Sequence, residues 1–314
     1  MILNLLLIVL GIVLVIWGAD RMTDGSVAIA QRLKIPQIVI GLTIVAMGTS
    51  MPELCISMVS ALKGTPDLAV GNVVGSNIFN TMLIVGVAAM VAPMTILRST
   101  VKKDIPWAVF GSVALMLMCL DNDISRIDAI ILFAAFILFM FLTLKNAKKK
   151  QSDPSSNTEE EVKSHSILQA TTLVIVGLAC LIFGSNIFVD AATKVAQSLG
   201  VSEAIIGLTI VAGGTSLPEL ATSVVAARKG QSAIAIGNVI GSNVMNILLI
   251  IGTTGIICPM HISGITPIDL GTMTISIFLL WLFSFTRFKV ERWEGAVLTI
   301  LFGIYLSWLI YQVI

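Results

Sequence analysis

Two glutamates stand where carboxylates are rare. Glu53 and Glu219 lie well inside apolar runs, whereas the other sixteen of the 18 acidic residues fall in polar loops or near the ends of such runs. An ionisable side chain at the centre of a bilayer costs about 2.5 to 3.5 kcal/mol on insertion scales, so two of them at matched positions call for a cation or a proton. The alternative is a pair of protonated glutamates that merely hydrogen-bond neighbouring helices. The residues in front of each favour a cation. Gly48-Thr49-Ser50-Met51-Pro52 precedes Glu53, and Gly214-Thr215-Ser216-Leu217-Pro218 precedes Glu219. Proline has no N–H for the carbonyl four residues back, here Gly48 and Gly214, and it kinks or breaks a helix. In lipid a freed carbonyl must find a partner, so irregular backbone at that depth lines a cavity or binds an ion. Carboxylates, freed carbonyls and the Ser50 and Ser216 hydroxyls form an all-oxygen set, which suits hard cations such as Ca²⁺ and Na⁺.

A second polar block follows each glutamate. Gly75-Ser76-Asn77 with Asn80, and Gly241-Ser242-Asn243 with Asn246, put short oxygen-bearing side chains on a glycine-weakened span. Ser76 and Asn80 are four apart, as are Ser242 and Asn246, so each pair shares a face if the helix persists. Small polar residues also mediate close helix packing in membranes. Their duplication 27 residues after each glutamate favours a share in the same site.

The duplication extends well beyond these residues. At an offset of 166, residues 40–54 match residues 206–220 at 13 of 15 positions, and residues 71–80 match residues 237–246 at seven of ten, with no gap between the blocks. A weaker correspondence joins Gly18/Gly184, Asp24/Asp190, Ala30/Ala196, Gln31/Gln197 and Leu33/Leu199.

The elements that carry these residues must be membrane helices. Hydrophobic residues make up 56% of the 314, charged residues 12%, and the mean hydropathy is +0.99, outside the range of soluble domains. Apolar runs long enough to cross a bilayer are expected at 2–31, 36–62, 68–92, 104–121, 125–145, 167–198, 202–228, 233–257, 267–286 and 293–313. The first lacks a basic leader and a small-residue cleavage pattern and reads as a retained span. The fold class expected is an all-α membrane protein of ten transmembrane helices. Five per half is odd, so the second half enters from the opposite face, and residues 1–145 and 167–314 become inverted repeats. Residues 146–166, with Lys148-Lys149-Lys150 and Glu159-Glu160-Glu161, read as a solvated cytoplasmic linker. Fifteen of the 19 Lys and Arg fall in loops after odd-numbered spans, against Lys63, Arg126 and Lys194 after even-numbered ones. The positive-inside rule then puts both termini outside the cytoplasm. Cys55, Cys119, Cys180 and Cys258 are scattered singly, without metal-ligand spacing, and read as packing residues.

Gly-Thr-Ser-x-Pro-Glu followed by Gly-Asn-x-x-Gly-Ser-Asn-x-x-Asn, once per half, resembles the two alpha repeats of the calcium/cation antiporter superfamily, in the prokaryotic type of its sodium/calcium exchanger branch. The resemblance implies an antiporter whose Glu53 and Glu219 hold Ca²⁺ centrally, aided by backbone carbonyls around Thr49 and Thr215. It further implies Na⁺ sites formed by Ser50, Ser76, Ser216 and Ser242 with the carbonyls of Ala46 and Ala212, Asn80 and Asn246 standing close by. Potassium-dependent relatives carry aspartate where Asn246 stands, which argues against K⁺ co-transport here. Proton/calcium antiport, K⁺-dependent exchange and, remotely, an intramembrane hydrolase are the competing readings. Neither a catalytic residue nor a cofactor is expected, and the partners are Ca²⁺, Na⁺ and the bilayer of the cell (inner) membrane, with no nucleic acid. A monomer is compatible with the sequence. The first and sixth spans, duplicated but without midplane ligands, are expected to slide or rock across the site.

Overall fold

The computed structural model describes residues 1–151, 166–201, 206, 210 and 212–313. The acidic triplet of the linker, and residues 207–209 and 211 of the second glutamate block, lie outside the described residues. The described residues are mainly helical, as a membrane interior demands of backbone that must bond to itself. Its helices are α1 Ile2–Arg32, α2 Gln37–Thr49, α3 Met51–Leu62, α4 Pro66–Val91, α5 Thr100–Asp121, α6 Arg126–Ala147, α7 Ile167–Ser198, α8 Ala212–Thr215, α9 Leu217–Arg228, α10 Ser232–Ile257, α11 Pro267–Phe285 and α12 Arg292–Gln312. Among the described residues eight are long and apolar enough to span a membrane, and α2 with α3 makes a ninth, bent by 47°. The run expected at 202–228 is represented by α8 and α9, its first part lying outside the described residues.

The bend falls where the prolines require it. Ser50 leaves helical geometry at φ −84°, ψ 6°, and Pro52 occupies the first turn of α3, where its missing N–H is no loss. Ser216 does the same at φ −91°, ψ 7° ahead of Pro218 in α9. Elsewhere the helices depart from expectation. A π-helical segment over Thr100–Asp104 draws Lys102 and Lys103 into α5, which therefore starts four residues before the expected 104. Two more, Phe79–Ile84 in α4 and Met245–Ile251 in α10, open the helices at Asn80 and Asn246. The regular helix that Ser76 and Asn80 would share thus ends at Ile78, and that of Ser242 and Asn246 at Val244. Such widened turns cluster at functional sites because they re-aim side chains and loosen carbonyls.

Packing sorts the helices by depth. α10 is the central one, 94% of its apolar window buried, against 17% for α12 at the periphery. α1 and α7 pack antiparallel along a seam of small residues seven apart, Gly11 against Gly184, Gly18 against Gly177 and Gly25 against Ala170. A Cβ at Gly18 would stand 2.7 Å from the Gly177 carbonyl oxygen, and one at Gly177 2.6 Å from the Met22 nitrogen. These are backbone contacts that cannot step aside. Gly18→Ala and Gly177→Ala are therefore expected to cost about 1 to 3 kcal/mol each through overpacking, read as lowered melting temperatures in detergent. Gly271→Ala and Gly303→Ala, where a Cβ meets nothing within 4 Å, are expected to be neutral or stabilising by up to about 1 kcal/mol, since glycine weakens a helix.

Two short antiparallel ladders join distant loops. Met94–Thr95 pairs with Lys289–Val290, and Asp123–Ile124 with Met260–His261. Adding 166 to Met94 and Thr95 gives Met260 and His261, and adding it to Asp123 and Ile124 gives Lys289 and Val290. Each ladder therefore maps onto the other in register.

Candidate cation site

The broken helices bring the two glutamates into one buried cluster. Glu53 and Glu219 sit in the first turns of α3 and α9, each 1% exposed. Ser50 Oγ donates to Glu219 Oε1 at 3.0 Å, and Ser216 Oγ to Glu53 Oε1 at 3.2 Å. Each break thus supplies the hydroxyl that meets the other half's carboxylate. Ser216 also lies 3.3 Å from Ser76 Oγ, which brings α4 into the cluster. Asn80 and Asn246 are 1% exposed, and Ser242 and Thr49 are fully buried.

Donors are scarce relative to acceptors. Among the described residues, Oε2 of Glu53, Oε2 of Glu219, Oδ1 of Asn80 and both amide atoms of Asn246 are buried without a hydrogen-bond partner. Among the described residues no lysine, arginine or histidine pairs with either glutamate. Buried charge without a counter-charge is strongly unfavourable. Orphaned oxygens around two carboxylates therefore fit a cation held by oxygen ligands.

The backbone candidates are partly engaged. The Ala46 carbonyl accepts from the Ser50 N–H at 3.0 Å and lies 3.4 Å from Thr49 Oγ1. Ala212 and Thr215 bound α8, directly before the second break.

Sequence reasoning left out the brackets that hold the glutamate turns. Asn238 Nδ2 donates to the Glu219 carbonyl at 3.3 Å and to Ser223 Oγ at 2.9 Å, while its Oδ1 accepts from Thr49 Oγ1 at 3.1 Å. Asn72 Nδ2 repeats the first two bonds with the Glu53 carbonyl at 3.2 Å and Ser57 Oγ at 3.0 Å. The signal was present, since Asn72/Asn238 and Ser57/Ser223 keep the same offset of 166. Asn243 Nδ2 adds a tie to Thr81 Oγ1 at 2.7 Å.

Comparison with known proteins fits this geometry. The profile of the family described as sodium/calcium exchanger protein matches residues 3–145 and 169–311. The putative antiporter CaxA of Alkalimonas amylolytica is 36% identical over 302 residues, covering 94% of this chain and 95% of that protein. The sodium/calcium exchanger MaX1 of Methanosarcina acetivorans is 33% identical, covering 98% and 99%, and the inner membrane protein YrbG of Escherichia coli K12 is 34% identical, covering 98% and 96%. The solved structure of the sodium-calcium exchanger NCX_Mj superposes with a TM-score of 0.85 at 30% identity, covering 98% of each chain. The intramembrane hydrolase reading falls with these matches, which are to transporters, and the chain belongs to the sodium/calcium exchanger protein family.

Proposed function

We propose that this chain exchanges Na⁺ for Ca²⁺ across the cell membrane by alternating access, with the two glutamates as the Ca²⁺ ligands. The observation that carries the reading is the reciprocal bonding of Ser50 to Glu219 and Ser216 to Glu53. It makes one site from two equivalent breaks. In this reading residues 1–145 and 167–314 are inverted five-helix repeats joined by the cytoplasmic linker 146–166, ten helices in all, with both termini outside the cytoplasm. The two ladders that interchange under the offset of 166 support the inverted arrangement. Carbonyls around Thr49 and Thr215 complete the Ca²⁺ shell, and Ser50, Ser76, Ser216, Ser242 and the Ala46 and Ala212 carbonyls take Na⁺, with Asn80 and Asn246 beside them.

Charge favours Na⁺ coupling independent of K⁺. Two carboxylates balance one Ca²⁺, and asparagine at both 80 and 246 adds no further negative charge for a K⁺. Proton coupling would use the same glutamates but gives no role to the paired hydroxyls. The test is ⁴⁵Ca²⁺ uptake into proteoliposomes under an outward Na⁺ gradient, compared with an outward proton gradient and with added K⁺. Uptake driven by Na⁺ alone is expected; uptake driven by protons and indifferent to Na⁺ sinks the proposal.

Asn238 gives a graded check. Asn238→Ala removes three hydrogen bonds from the turn that aims Glu219 and from Thr49. Ca²⁺ affinity by calorimetric titration is expected to fall about tenfold, the equivalent of roughly one hydrogen bond's net worth, with the fold intact by circular dichroism.

A further inference from the structure

On the alternating-access reading above, we infer that Lys229 with Asp20 and Asp24 is a latch holding the α1–α7 pair to the core at one end, and that Lys63 with Asp190 is its twin, engaged only in the opposite-facing state.

Lys229 follows the last turn of α9, the helix that carries Glu219. Its Nζ lies 2.6 Å from Asp20 Oδ1, 2.8 Å from Asp24 Oδ1 and 3.2 Å from the Asp20 carbonyl oxygen. Asp20 and Asp24 are one turn apart on α1, so a single ammonium bridges both. Arg21, 3.9 Å from Asp20 and stacked over Trp17, also borders this cluster. The latch thus ties α1 directly to the end of a ligand-bearing helix.

Adding or subtracting 166 gives the twin: Lys63 after α3, which carries Glu53, and Asp190 on α7, with Asn186 in the place of Asp20. There no latch is closed. Lys63 and Asp190 are exposed, and among the described residues neither forms an ion pair. The seam fixes where the twin lies. With Gly11 facing Gly184 and Gly25 facing Ala170, Asp190 is level with Leu5, about 19 residues or roughly 28 Å from Asp24 along the pair. The two latches therefore sit at opposite ends of one body.

That body is stiff because its contacts are backbone against backbone. A rocking movement that brings one end onto the core lifts the other away, so the latches exclude each other. The twin has one carboxylate fewer, since Asn186 replaces the equivalent of Asp20. The Lys229 latch accordingly sets the resting bias, and the lysines act on the population of states rather than on the ions.

The test reads conformation apart from transport. Lys63→Cys/Asp190→Cys and, separately, Asp24→Cys/Lys229→Cys are introduced into a chain whose Cys55, Cys119, Cys180 and Cys258 are replaced by alanine. Each is reconstituted and treated with a short bifunctional thiol reagent. Adding Lys229→Gln to the first pair is expected to speed its cross-linking about two- to five-fold, the scale of one exposed ion pair, while Lys229→Arg holds the parental rate. Adding Asn186→Asp to the second pair is expected to slow its cross-linking by a similar factor, because the strengthened twin, with Lys63 and Asp190 intact, draws the body away. Rates at each end that ignore the charge at the other overturn the latch. Absence of Na⁺-driven Ca²⁺ uptake in the parent chain would instead overturn the exchange reading and leave the cross-linking result standing.

Discussion

Glu53→Gln and Glu219→Gln are each expected to abolish Na⁺-driven Ca²⁺ uptake and to weaken Ca²⁺ binding by two to three and a half orders of magnitude. The estimate follows from burial. Both carboxylates are 1% exposed, and the hydroxyls that meet them, Ser216 on Glu53 and Ser50 on Glu219, carry no charge. A divalent cation there depends on two full charges, and removing one partner of a buried ionic contact costs about 3 to 5 kcal/mol, at about 1.4 kcal/mol per factor of ten. The two variants should be equally severe because the bonding is reciprocal. Stability should move the other way. Without Ca²⁺, the neutral amide relieves a buried charge, so the melting temperature is expected to hold or rise, while the rise caused by Ca²⁺ in the parent protein disappears. Flux and thermal melting on the same preparations check both signs. Either variant retaining uptake within about threefold of the parent would remove the glutamates from the site.

What could be read from the sequence was what symmetry and solvent dictate. A glutamate inside an apolar run must meet a cation or hold a proton in lipid, and Pro52 and Pro218 announce a broken helix because a missing N–H cannot be hidden there. The offset of 166 located paired residues without any coordinates. The π segments at Phe79–Ile84 and Met245–Ile251 were invisible because a one-residue widening leaves the hydropathy unchanged. The early start of α5 at Thr100 was hidden by Lys102 and Lys103, whose charges mark a loop in sequence but sit on a helix end here. Asn72 and Asn238 were missed for another reason. Their work is done on the carbonyls of Glu53 and Glu219; the offset of 166 marks them as a repeated pair, but neither residue type nor spacing says that a backbone carbonyl is the partner. The glycine seam was legible only in part. Gly18/Gly184 is a duplicated pair in sequence, yet in space Gly18 meets Gly177 and Gly184 meets Gly11, because the two helices run antiparallel.

Fixing α1 to α9 should separate binding from transport. In the cysteine-free chain carrying Asp24→Cys and Lys229→Cys, a short bifunctional thiol reagent spans positions whose native side chains already meet at 2.8 Å, so the link captures the present arrangement without forcing it. If the α1–α7 pair must move across the cluster for the site to change sides, the linked protein can fill its site from one side only. Net uptake is then expected to fall below about a tenth of the unlinked value, since a locked state cannot complete a cycle however strongly it binds. Ca²⁺ binding measured by titration should survive, because the link lies away from Glu53, Glu219 and their serines. Reducing a cleavable linker should restore flux, which separates the lock from damage by the reagent. The Asp24→Cys variant alone, treated identically, supplies the baseline. Undiminished flux in the fully linked protein would place the moving part elsewhere and leave α1 and α7 as a fixed wall of the site.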